Sequence, residues 1–156
     1  MTTTDSFALD RQVCFALAVT NRAVLSVYRP LLEPLGLTHP QYLVMLALWE
    51  RAPMSAGEIA SALQLEPASL TPLLKRLDAD GLLTRRRSDT DERRLVIALT
   101  DRGTALRRSA ESIPGKVIEA LGADVSELER LHEVLSSINT AAIAAGALST
   151  AEGGTR

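Results

Sequence analysis

The chain contains one cysteine, Cys14, and two histidines, His39 and His132. A thiolate can attack a peroxide and an imidazole can carry a proton, but neither does enzymatic chemistry without partners. No second cysteine is available to resolve an oxidised thiol within the chain. No ligand cluster has metal-site spacing, and no phosphate-binding glycine loop or Ser/His/Asp arrangement occurs. An enzyme is therefore not expected, nor a cofactor or a metal. Taken alone, a single cysteine in an apolar stretch reads as a small, inert hydrophobe. The other capable groups are basic. Residues 75–94 hold Lys75, Arg76, Arg85, Arg86, Arg87, Arg93 and Arg94 against five acids, a local charge of +2 in a chain whose total is −2. Such locality is what an electrostatic footprint on nucleic acid requires. The competing reading is that the run Arg85, Arg86, Arg87 is a solvated strand face, as charge runs usually are.

The elements that must hold these groups are mostly helical. A length of 156 residues suits one domain, and 46% apolar content can build a core. With aromatics at 3%, Leu, Val, Ile and Ala must fill that core, and Ala and Leu favour helices. A first helix is expected over residues 6–29, capped by Asp5 or Ser6 and ended by Pro30, Pro34 and Gly36. Thr38 with Gln41 forms a capping box for a helix over 39–51, in which Trp49 is expected in the core. Ser55 with Glu58 opens a short helix ending at Leu63. After a gap at 65–66, Pro67 starts another that Gly81 stops. Its stripe is Leu70, Leu73, Leu74 and Leu77, with a bend expected at Pro72.

Beyond Gly81 the period changes from helical to alternating. Residues 82–87 and 94–99 read as strands around a polar tip at 88–93. Thr100 or Asp101 then caps a helix interrupted near Pro114 and Gly115, and a last helix covers 125–145. Residues 149–156 read as a flexible tail. The first ten residues lack the basic region and apolar core of a signal peptide, and no uncharged apolar stretch reaches membrane-spanning length. With a single cysteine, this suggests a cytoplasmic protein in a reducing compartment.

Helix, short gap, helix and basic hairpin is the order of a winged helix-turn-helix, so the expected class is mainly α with a small β-hairpin wing. The second helix would enter a major groove with Ser69, Thr71, Lys75 and Arg76 outward. Arg86, Asp91 and Arg93 are the candidates from the hairpin, with Arg93 reaching a minor groove.

The stretch SLTPLLKRLDADGLLTRRRSDTDERRLVIALTDRG, residues 69–103, resembles the MarR family of bacterial regulators, including its Asp91-Glu92-Arg93 wing signature. VCFAL at 13–17, YRPLLEPLGL at 28–37 and PQYLVMLALWE at 40–50 are similar to the organic-hydroperoxide-sensing, OhrR-like branch. The resemblance implies one domain over 1–156, with a DNA-binding lobe at 52–102. It also implies a homodimer interlocked through helices at 6–36 and 103–146, set on a palindromic duplex operator. Both terminal helices are apolar on more than one side, which a monomer would cover poorly.

The resemblance further implies that Cys14 is the reactive cysteine. An organic hydroperoxide would oxidise it to a sulfenic acid, which condenses with a thiol. Lacking a second cysteine, the chain would need a low-molecular-weight thiol or Cys14 of another copy. Tyr28 matches a tyrosine that stabilises the thiolate, while Ala18 and His39 stand where further tyrosines are common. His39 could substitute as a donor, or as a cation that lowers the thiol pKa. The alternative is a MarR-type regulator released by a small phenolic effector.

Overall fold

The computed structural model describes residues 12–147, and the cap expected at Asp5 or Ser6 and the tail at 149–156 lie outside them. The chain forms helices α1 (Val13–Leu32), α2 (His39–Arg51), α3 (Ala56–Leu63), α4 (Pro67–Ala79), α5 (Asp101–Ala110), α6 (Ile113–Leu121) and α7 (Val125–Ala144). A 3-10 turn over Glu33–Leu35 follows α1. Strands β1 (Met54–Ser55), β2 (Leu83–Arg87) and β3 (Leu95–Leu99) form one antiparallel sheet in the order β1-β3-β2.

Several boundaries differ from expectation. The first helix does not stop before Pro30 but continues through it to Leu32. Proline removes only the bond to the Ser26 carbonyl, and the gain is burial of Leu32, which is 1% exposed. The stop comes at Gly36, whose φ of 69° is left-handed. The later interruption lies at Glu111 and Ser112 rather than at Pro114, which occupies the first turn of α6, where its missing N–H costs nothing. The hairpin also gains a third strand, β1, pairing Met54 with Ile97 and Ser55 with Val96. Two residues are too few to show a period.

The two capping boxes form as read: Thr38 with Gln41, and Ser55 with Glu58. The core lies in the winged lobe and its junction with α1, α2 and α6. Leu70, Leu74 and Leu77 bury one face of α4 against Met45, Leu48 and Ile59 of the neighbouring helices, all at most 2% exposed. Burying each such side chain contributes about 1.5–3 kcal/mol. Leu73, expected in the same stripe, is only half-buried. Trp49 is likewise half-buried, because its ring needs a polar outlet: Nε1 donates to the Gly103 carbonyl at 2.9 Å. By contrast α7 has no buried residue, and Val125, Leu131, Val134 and Ile138 are 47–56% exposed.

Candidate nucleic-acid interface and thiol site

Burial of Leu70, Leu74 and Leu77 turns the opposite side of α4 to solvent, so Ser69, Thr71, Lys75 and Arg76 are all exposed. They do not offer equal chemistry. The Thr71 hydroxyl already donates to the Pro67 carbonyl at 2.9 Å, leaving its lone pairs as acceptors. Arg76 shares its charge with Asp80, one turn on, at 3.4 Å. Lys75 enters no ion pair among the described residues and retains its full charge for a phosphate. Pro72 lies within α4 without ending it.

The run Arg85, Arg86, Arg87 is not one feature. Strand alternation sends Arg85 to the same side as Leu83, which is 1% exposed, and opposite it in register is Ile97, 0% exposed. Arg85 therefore faces inward, and its Nε donates to Asp78 of α4 at 2.8 Å. Arg86 faces outward, and with Arg87 and Arg93 it is exposed and outside every ion pair among the described residues. Arg94 turns back to Glu58 of α3 at 3.2 Å. Glu58 also accepts from the Ser55 N–H at 2.6 Å, and this bond above all holds its carboxyl below the usual range, with Arg94 adding to the effect.

Asp91 accepts from the Arg93 N–H at 3.0 Å. Its carboxylate shapes the tip that presents Arg93 and would repel a phosphate. Sequence reasoning, which placed Glu58 only in a cap, missed the ion pairs of Asp78 with Arg85 and of Glu58 with Arg94. The available signal was an arginine at an inward register position of β2, which calls for a counter-charge.

The thiol lies elsewhere. Cys14 is exposed in the first turn of α1. Tyr28, fourteen residues further along the same helix, is about 21 Å away at ~1.5 Å per residue, so the two do not meet within one chain. Tyr28 and His39 do meet: their rings stand edge to face with centroids 4.7 Å apart, and Tyr42 lies 5.9 Å from Tyr28. Burial pushes the Tyr28 hydroxyl pKa up and the His39 imidazole pKa down. His39 is also the first residue of α2, where the helix dipole opposes a cation. Burial and the helix dipole thus both disfavour a cationic His39. Ala18 is exposed on α1 and supplies no hydroxyl.

A separate cleft of about 450 Å³ opens between α2, α5 and α6, lined by Tyr42, Leu46, Trp49, Arg107 and Pro114 among others. Among the described residues no helix is long and apolar enough to cross a membrane, and no group of acids, His and Cys could hold a metal.

Comparison with known proteins places these features in a family. The MarR family's sequence pattern matches residues 37–95. The organic hydroperoxide resistance transcriptional regulator of Bacillus subtilis is 37% identical over 86% of this chain and 91% of its own length. Reduced AbfR bound to DNA, a protein also solved from Staphylococcus epidermidis, superposes with a TM-score of 0.74 at 32% identity, covering 86% of this chain and 94% of that one. CouR from Rhodococcus jostii, solved with p-coumaroyl-CoA, gives 0.74 at 26% identity over 85% and 95%. The relatives are transcriptional regulators rather than enzymes, and the likeness to the Bacillus subtilis hydroperoxide resistance regulator extends over 86% of the chain. This chain belongs to the MarR family and is a DNA-binding, winged-helix transcriptional regulator.

Proposed function

We propose that the protein is a cytoplasmic repressor that holds a palindromic operator as a homodimer and releases it when an organic hydroperoxide oxidises Cys14. One observation carries the reading. Cys14 sits among Val13, Phe15, Leu17 and Val19, apolar side chains of α1 that are 39–66% exposed. A second copy covering that surface with its own α1 and α7 would bury these residues around the thiol. The same copy would bring Tyr28 and His39 to Cys14, which a single chain does not. Residues 6–36 and 103–146 then form the dimer core, and 52–102 the lobe that meets DNA through Ser69, Thr71, Lys75, Arg76, Arg86 and Arg93. The operator half-sites would be one duplex turn apart, on the order of 34–36 Å.

The Cys14 thiolate attacks the distal peroxide oxygen, the O–O bond breaks, and the departing alkoxide takes a proton and leaves as an alcohol. Cysteine is oxidised to sulfenic acid as the peroxide is reduced. A low-molecular-weight thiol then displaces water, forming a mixed disulfide. An adduct of that size does not fit a packed interface, and its relief would re-space the two lobes.

The test is operator affinity by mobility shift, before and after an organic hydroperoxide with a small thiol. Wild type is expected to release DNA and Cys14→Ser to retain it. Release that persists in Cys14→Ser would exclude the sensing role.

The cleft beside Tyr42, Trp49 and Arg107 keeps a second reading alive, release by a small phenolic or acyl effector, as the likeness to CouR with its bound thioester suggests. Peroxide insensitivity with effector-dependent release would favour it.

A further inference from the structure

Two acidic residues stand where a DNA-binding lobe should tolerate acids least. Asp78 lies on α4, three residues beyond Lys75, and Glu58 is in the first turn of α3. Simple electrostatics says that each weakens DNA binding, since each repels phosphates. Their contacts say otherwise. Asp78 Oδ2 accepts from Arg85 Nε at 2.8 Å, and both side chains are about two-thirds covered. Glu58 Oε1 meets Arg94 Nη2 at 3.2 Å, more openly. Each pair joins a helix of the helix-turn-helix to the wing: Asp78 ties α4 to β2, and Glu58 ties α3 to Arg94, the residue just before β3.

At its base the wing is held by buried Leu83 and Ile97 and by the pairing of β3 with β1, but this packing does not reach the tip. Beyond Leu83 and the Arg85–Ile97 pair, the inward face of the hairpin thins to Arg87 on β2 opposite half-buried Leu95 on β3. Under it, Arg85 walls a small void of about 90 Å³ with Ala56, Gly57, Ala60, Thr71 and Leu95. Apolar packing is thus incomplete where hairpin and helices diverge, and Arg85, one wall of the void, joins the two through its ion pair with Asp78.

We propose that Asp78 is a positioning residue for DNA recognition: through Arg85 it sets the angle between α4 and the wing, so that Lys75 and Arg93 meet one duplex together. Glu58 and Arg94 form the outer, weaker brace. Arg85 and Arg94, despite their charge, are then structural, and phosphate contact falls to Lys75, Arg86, Arg87 and Arg93. This rests on α4 and the wing being the DNA-contacting surface.

The expected effect of removing Asp78 is opposite in sign to that of simple charge repulsion. The probe is a duplex selected from a randomised pool by the wild-type protein, with a random-sequence duplex as the non-specific reference. Asp78→Asn removes a negative charge near DNA, yet affinity for the selected duplex is expected to fall about five- to tenfold, the effect of losing roughly 1 kcal/mol of orientation. Non-specific affinity should hold or rise.

Arg85→Ala should cost about the same, and the double variant no more than either alone. The salt slope should stay at the wild-type value, whereas a lost phosphate contact lowers it by about 0.9. Asp78→Glu, which keeps the charge, should recover most of the loss, and it serves if the Asn variant does not fold. Unchanged or tighter binding by Asp78→Asn, or a lower salt slope in Arg85→Ala, would overturn the proposal. Lys75→Ala supplies the control on the surface itself. If it leaves both affinity and salt slope unaltered, the assignment of the surface is at fault.

Discussion

Gly103 is the position where a single methyl group should do most damage. It lies in the first turn of α5, and a Cβ placed there would stand 1.9 Å from the Leu82 carbonyl oxygen and 2.9 Å from its carbon. Both are backbone atoms and cannot rotate aside. The Leu82 carbonyl also accepts from the Thr100 N–H at 3.2 Å, so pushing it away breaks a bond at the base of the wing. Gly103 itself accepts from Trp49 Nε1 at 2.9 Å and donates to Thr100 Oγ1 at 3.0 Å.

Helix propensity alone says that Gly103→Ala stabilises by about 0.8–1 kcal/mol. Against this stand overpacking of about 1–3 kcal/mol and about 1 kcal/mol for each hydrogen bond strained. The net expectation is a loss of about 2 kcal/mol, roughly thirtyfold in the folding equilibrium. Urea unfolding at fixed protein concentration measures it. Trp49 is the only tryptophan in the chain, so its fluorescence reports the same site. Equal or greater stability in Gly103→Ala would refute the reasoning and leave propensity in charge.

Other outcomes follow from the same contacts. Leu77→Ala empties a fully buried position of α4 and should cost about 2–5 kcal/mol, read by the same unfolding assay. Lys75→Ala should reduce the slope of log affinity against log salt by about 0.9 for each Lys75 on the duplex. Burial lowers the His39 pKa in the folded chain. Protonation there favours the unfolded state, so stability should fall as pH drops below about 6.5, and a His39→Phe variant should lose that part of the pH dependence. Glu58 has a profile of the same sign in a more acidic window. Its folded pKa is depressed, so its contribution is present above about pH 4.3 and is lost as acid protonates it; thermal unfolding of Glu58→Gln should converge with wild type at low pH.

Much of this was legible in the sequence where the signal is local. Capping boxes at Thr38 and Ser55, the proline start and glycine stop of α4, and its leucine stripe are each set by neighbours within a turn. The wing strands showed through alternation. What sequence did not reveal depends on distance in the chain. Trp49 sits at the core edge because Gly103, 54 residues away, offers it a carbonyl. Arg85 and Asp78 pair only once β2 folds back over α4. At the thiol, the residues were legible but their separation was not: Cys14 and Tyr28 lie on one helix too far apart to touch within one chain. His39 read as a donor or a cation, or simply as an exposed first residue of its helix; in the fold it is half-buried, and that burial lowers its pKa.

The most direct measurement of the central claim follows the mass of Cys14 and operator affinity in the same samples. The protein is titrated with an organic hydroperoxide in the presence of a small thiol. Loss of DNA binding is expected to track the fraction of Cys14 carrying the mixed disulfide, and reduction should restore both. Full modification of Cys14 with undiminished affinity, or release of DNA while Cys14 stays reduced, would contradict it.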